Sequence, residues 1–190
     1  MNWSLRPAIE DDRPAILALM RPRDYNRINL KPGCFVVAIN GSNATTSKGE
    51  SDGGIPAERL TTTVIGIGQV KRHWDGTAEL ASLVVAEHCR EQGVGGSIVR
   101  ALVKQHFANA DHLPKDQATE EGPDPLYLFC LSALAGYYQR FGFQQVARSR
   151  LPWPLYLMHL LGNSIGRLAG RVNGTGFSVI AMKIDASSSG

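Results

Sequence analysis

The densest run of residue types suited to chemistry lies between Glu79 and Arg100, ELASLVVAEHCREQGVGGSIVR. An apolar, branched segment ends at Ala86, a short polar connection follows, and Gly93, Gly95 and Gly96 open an apolar-periodic stretch. Val94, Ile98, Val99, Leu102 and Val103 have the spacing of one buried helix face, which predicts a helix over 93–107. A strand running into a helix N-terminus presents free backbone N–H groups at the positive end of the helix dipole, a physical recipe for holding a diphosphate. Glycines at that point leave the backbone open to close approach by phosphate oxygens. The same segment also reads as a plain strand-to-helix turn with convenient glycines. No Lys-Ser/Thr pair follows the glycines, so it is not a P-loop, and Gly93-x-Gly95 lacks the third glycine of a dinucleotide fingerprint.

Such a turn needs a scaffold, and the composition permits one. The chain has 190 residues, 43% hydrophobic and 19% charged, with 20 Lys+Arg against 17 Asp+Glu for a formal net charge of +3. That balance is ordinary for a globular domain and excludes wholesale disorder, a collagen-like fibre and a coiled coil. The mild positive charge gives no reason to expect a nucleic-acid partner. Cys34, Cys89 and Cys130, odd in number and without a C-x-x-C pair, fit reduced thiols of a cytoplasmic protein better than a disulfide framework or a zinc site. No metal is expected. The opening MNWSLRPAIEDD carries charges where a secretory signal needs an apolar run. Leu151–Leu161 is about half the roughly 20 residues of a bilayer span and contains two prolines and His159, so no membrane span is expected.

Element by element, Trp3 to Ala8 reads as a strand, and Asp11 or Asp12 can cap a helix with Pro14 in its first turn and Ile16, Leu17, Leu19 and Met20 as its apolar stripe. Residues 21–32 give at best a weak helix. Cys34–Ile39 is a buried-type strand, 40–61 a Gly/Ser/Thr-rich mobile hairpin loop, and 62–70 and 77–86 the strands on either side of an Asp75-Gly76 turn. A polar loop runs over 109–125. Leu126–Leu131 is a further buried strand, and Ala133–Phe141 a short helix that Gly142 can end in the left-handed conformation. Residues 143–148 and 177–183 are the last strands. The order is that of one α/β domain over 1–190, a mixed sheet with helices on its faces.

Arg90-x-x-Gly93-x-Gly95 after the strand LASLVV resembles the acetyl-CoA-binding motif of the GCN5-related N-acetyltransferase (GNAT) superfamily. Tyr138-Gln-Arg-Phe-Gly-Phe143 is similar to the aromatic helix and Gly-Phe ending that close the same fold, and Leu5–Asp12 to its first strand and helix. The resemblance implies a mostly antiparallel mixed sheet splayed between its fourth and fifth strands, with acetyl-CoA as co-substrate in the cleft. Backbone groups of Leu83, Val84 and Val85 would then pair with the pantetheine arm. Those of Arg90, Glu91, Gln92, Gly93, Val94, Gly95, Gly96 and Ser97 would hold the pyrophosphate.

The implied reaction is attack of a primary amine, on a small molecule or amino acid, upon the thioester. The resemblance makes Tyr138 the proton donor to the departing thiolate and Glu79 the base. From the residues alone, Tyr137, Tyr138 and Phe141 are also the core stripe of a short helix. Register bears on Glu79. A two-residue Asp75-Gly76 loop sets Arg72 across from Glu79 and makes it an ion-pair member, whereas a loop that includes Thr77 sets His73 there, as an acid-base pair. His73 itself as the base, a water relay, or no dedicated base are the remaining alternatives. The superfamily's usual asparagine before the tyrosine helix is absent, with Ser132 nearby. The apolar insert 151–172 fits an acceptor lid, a homodimer contact or a lipid-facing patch. Binding of CoA without turnover and acetylation of a protein are the alternative functions.

Overall fold

Four consecutive buried residues, Phe35 to Ala38, build the N-terminal core. In the computed structural model, which describes residues 2–20, 30–41, 62–110, 124–157 and 178–186, β1 (Trp3–Pro7) pairs antiparallel with β2 (Phe35–Gly41), from Trp3↔Asn40 to Pro7↔Val36. The chain divides into two compact units, Met1–Gly68 with Ser82–Ile98 and Gln69–Ala81 with Val99–Gly190.

In the first unit, helix α1 (Arg13–Leu19) lays Ile16 into a cluster with Ala8, Met20, Leu30, Phe35, Val37 and Ile67, and Leu17 and Leu19 pack against its edge. The predicted stripe is therefore the buried face. Asp12 precedes α1 as expected, but its carboxylate does not cap the helix. It turns back to accept both guanidinium nitrogens of Arg6, at 2.6 and 2.8 Å, and the Ile9 N–H at 2.8 Å. A bidentate charged partner outcompetes a single helix N–H. Hydrogen bonding to Arg6 also holds the Asp12 carboxyl below the usual carboxylate range. Asp12→Ala is expected to destabilise the fold by about 1.5–3 kcal/mol at pH 7, the range for hydrogen bonds to charged groups. Because the folded carboxyl titrates below the unfolded one, this stabilisation is complete above the unfolded value near pH 4 and fades as pH falls through the lower folded value. Urea midpoints of wild type and variant should converge below about pH 4; a gap that stays constant into strong acid would contradict the assignment.

β3 (Thr62–Arg72) and β4 (Ala78–Val85) follow, then α2 (Val94–Ala110). Gly66 on β3 makes room for α2: a Cβ there would meet Ile98 Cδ1 and Val94 Cγ1, each at 3.0 Å. In the second unit β5 (Leu126–Leu131) pairs in parallel with β4 over Ala78↔Leu126, Glu79↔Tyr127 and Leu80↔Leu128, and antiparallel with β7 (Val179–Ile184). α3 (Ala135–Gln139) and β6 (Gln144–Val146) lie between them in sequence. The seven strands form a mixed sheet in the order β1-β2-β3-β4-β5-β7-β6. β6 is shorter than its pattern predicts because Arg148–Arg150 forms a 3-10 turn.

His106 of α2 is 4% exposed. Its Nε2–H donates to the Asp124 carbonyl at 2.9 Å, tying the entry to β5 onto the helix, while Nδ1 is buried without a partner. Burial therefore pushes the imidazole below its ordinary range, since a second ring proton would find no acceptor. The loop at 42–61 and the segments at 21–29 and 111–123 lie outside the described residues.

Candidate functional site

Leu83, Val84 and Val85, the last residues of β4, are half-buried, and Val84 packs against the N-terminal core. A 3-10 turn at Glu87–Cys89 follows, with Cys89 fully buried. The chain then reverses through left-handed conformations at Glu91 (φ 63°) and Gly93 (φ 83°) before α2 begins. A Cβ at Gly93 would meet nothing within 4 Å, so the backbone angle, not crowding, calls for glycine there. Arg90, Glu91, Gln92 and Gly93 are exposed, Val94 is buried, and Gly95, Gly96 and Ser97 are half-buried. The Ser97 N–H returns to the Gly93 carbonyl at 3.0 Å. The N–H groups just before it have no intrahelical acceptor at the head of a 17-residue helix. Gln92 Nε2 donates to the His88 carbonyl at 3.1 Å, and Arg90 Nε reaches the Val85 carbonyl at 3.4 Å. Both side chains thus fold back on the turn that carries them.

In the second unit, the hairpin ahead of Glu79 corrects both registers drawn from the sequence. His73 N–H donates to the Thr77 carbonyl at 2.9 Å and Gly76 N–H to the His73 carbonyl at 3.0 Å, so the loop is Trp74-Asp75-Gly76, three residues long. Gly76 takes φ 89°. Left-handed glycine after a type I turn gives a better twist match than the two-residue loop assumed for Asp75-Gly76. Asp75 reinforces it, its carboxylate accepting the Thr77 N–H at 3.0 Å and hydroxyl at 2.8 Å. Arg72 does not reach Glu79; its guanidinium donates to the Gly76 carbonyl at 3.3 Å.

With His73 opposite Thr77, His73 and Glu79 share a face of the sheet, and His73 Nε2 lies 2.8 Å from Glu79 Oε2 with both side chains 7% exposed. Paired residues of adjacent strands share a face, so the row continues from Glu79 to Tyr127 on β5, Lys183 on β7 and Gln144 on β6. Burial pushes the Tyr127 phenol up against the opposing pull of Lys183, and Lys183 is itself paired with Asp185 at 2.9 Å. Sequence patterning gave no reason to single out Tyr127 or Lys183, which become neighbours of Glu79 only through long-range pairing.

Tyr138 is 8% exposed on α3, edge-on to Tyr137 at 5.0 Å and to Phe143 at 6.1 Å. Tyr137 is half-buried beneath the Arg140 guanidinium, 4.9 Å from its ring. Burial, with Cys130 and Tyr137 adding to it, pushes the Tyr138 phenol far above its ordinary value. Gly142 takes φ 89° as expected, but α3 ends at Gln139 with Arg140 as its cap, short of the Phe141 read from the sequence. Of the insert, Trp153 and Tyr156 stack at 6.1 Å with Arg148 over the Tyr156 ring, while the expected lid over 158–172 lies outside the described residues. Among the described residues no helix is long and apolar enough to cross a membrane.

The Arg90–Gly93 turn, the β4–β5 parallel pairing and the tyrosine helix fall within residues 55–145, which match the family model of the acetyltransferase (GNAT) domain. Over those residues the chain is similar to the GNAT acetyltransferase domain. Its fold is shared with N-acetylglutamate synthase from Neisseria gonorrhoeae complexed with coenzyme A and N-acetyl-glutamate, at TM-score 0.53 and 17% identity, over 97% of this chain and 36% of that one. It is shared also with Rv2747 from Mycobacterium tuberculosis in complex with CoA (TM-score 0.53, 16% identity, 95% and 98% covered). A third neighbour is the ribosomal-protein-S18-alanine N-acetyltransferase from Escherichia coli (0.55, 11%, 96% and 93%). The chain spans about a third of the length of the N-acetylglutamate synthase it matches. No curated protein sequence matches the chain. At these identities the neighbours share the GNAT fold, and the residues that work on it are a separate question.

Proposed function

We propose that this GNAT chain transfers an acetyl group from acetyl-CoA to a primary amine of a small molecule or amino acid. The observation that carries the reading is the Arg90–Gly93 turn, with two left-handed residues delivering the chain to the N-terminus of a long helix. Backbone N–H groups at such a point suit a pyrophosphate. In this reading Arg90 to Ser97 hold the pyrophosphate, and the backbone of Leu83, Val84 and Val85 pairs with the pantetheine arm. Glu79 takes a proton from the acceptor ammonium. The free amine then attacks the thioester carbonyl, the C–S bond breaks, Tyr138 protonates the thiolate, and the second amine proton replaces the one Tyr138 gives. The N-acetylglutamate synthase neighbour, solved with CoA and N-acetyl-glutamate, supports an amino-acid acceptor. Three free thiols suit a cytoplasmic setting.

Calorimetry with acetyl-CoA, followed by thiol release against a panel of amines, amino acids and peptide N-termini, tests this. Saturable binding with turnover on small amines is expected. Binding without turnover on any acceptor would favour a regulatory CoA-binding role, and turnover on peptides alone a protein acetyltransferase. Gly93→Val should weaken acetyl-CoA binding about tenfold, because a β-branched residue at a left-handed angle costs about 1–3 kcal/mol of strain. Unchanged affinity would remove the turn from the binding site.

A further inference from the structure

His73 is fixed more firmly than a hairpin residue needs to be. Its N–H and carbonyl are both bonded across the Trp74-Asp75-Gly76 turn, and Asp75 clamps that turn through two bonds to Thr77. Its ring is thereby delivered to Glu79 at 2.8 Å, on a face where both side chains are nearly closed to solvent. An ionised carboxylate offers acceptors only, so Nε2 carries the hydrogen between them. A glutamate arm has several rotamers; one hydrogen-bonded to a fixed ring keeps the single orientation that proton transfer requires. The other titratable groups of this cross-strand face are Lys71 on β3, Tyr127 on β5, Lys183 on β7 and Asp185 just beyond it.

We propose that His73 is the positioning residue of the acyl-transfer site: it orients the Glu79 carboxylate and shares with it the proton taken from the acceptor. The proposal rests on Glu79 being the base. One proton leaves the acceptor ammonium for the His73–Glu79 pair, and the free amine forms the C–N bond. The second amine proton is lost as the C–S bond breaks, replacing the one Tyr138 gives the thiolate, so that the pair's proton is the net proton released to solvent.

The test compares wild type, His73→Gln, His73→Phe and Glu79→Gln for acetyl-CoA affinity and for kcat/KM between pH 5.5 and 9. His73→Phe should lower kcat/KM about tenfold with acetyl-CoA affinity unchanged, a part of the general-base contribution. His73→Gln keeps a donor amide and should recover most of the rate that His73→Phe loses. A wild-type rate in His73→Phe, or no recovery in His73→Gln relative to it, with Glu79→Gln impaired, would overturn the positioning role alone. Loss of acetyl-CoA binding in both His73 variants would make the residue structural and overturn it too. A wild-type rate in Glu79→Gln, or no turnover by wild type on any amine, would remove the base reading and the proposal with it.

Discussion

Glu79→Gln should lower kcat/KM for the amine acceptor by about 100- to 1000-fold near neutral pH, the scale of a lost general base. The substitution is nearly isosteric, and the amide oxygen can still accept from His73, so the buried contact survives without a buried charge left unpaired. Acetyl-CoA affinity should stay within about twofold, since the proposed contacts are backbone groups of Leu83 to Val85 and Arg90 to Ser97, which the substitution leaves unchanged. The deficit should shrink as pH approaches about 10, where the acceptor amine is already free and needs no base. Thiol release measured across pH separates the possibilities. A deficit that is constant with pH, or that follows a loss of acetyl-CoA affinity, would mean that Glu79 holds the structure and not the proton.

The sheet and helices were legible where chemistry is local. Ile16, Leu17, Leu19 and Met20 face the core because their spacing allows one helix face, and Gly142 takes the left-handed angle just past α3 because glycine has no Cβ to penalise it. What escaped was long-range or competitive. Asp12 has the type and position of a helix cap, yet Arg6 six residues earlier offers two charged bonds in place of one neutral one. The Asp75-Gly76 pair signals a hairpin without fixing whether the loop holds two or three residues, and only the Gly76 and Thr77 bonds to His73 decide it. One residue of register exchanges Arg72 for His73 on the face that carries Glu79. The contact between His73 and Glu79 was foreseen under one register and occurs under another, because both place the two side chains on one face. Tyr127 and Lys183 were invisible for a related reason. Their place beside Glu79 depends on β5 lying parallel to β4 and antiparallel to β7, which no window of sequence encodes. The turn at Arg90–Gly93 was the opposite case, since its glycine spacing is the local record of the backbone angle Gly93 adopts.

Tyr138→Phe should lower kcat about 30- to 100-fold, less than Glu79→Gln, because a thiolate with a conjugate acid near 8.5 leaves tolerably well even unprotonated. The acetyl-CoA dissociation constant should not change. Burial, the largest cause, holds the Tyr138 phenol protonated far above its ordinary range, so the donor is loaded at every pH at which the enzyme would be assayed. No alkaline limb below about pH 10 should therefore belong to it. Stability carries the same signature with a definite sign. The unfolded phenol ionises near pH 10 and the folded one does not, so above that point the unfolded chain binds fewer protons and wild-type stability falls by up to about 1.4 kcal/mol per pH unit. The loss continues until pH passes the raised folded value. Tyr138→Phe lacks this contribution, and its urea midpoint should gain on the wild type between about pH 9 and pH 11. A midpoint difference that does not change over that interval would show the phenol titrating normally, and an unchanged kcat would remove Tyr138 as the acid.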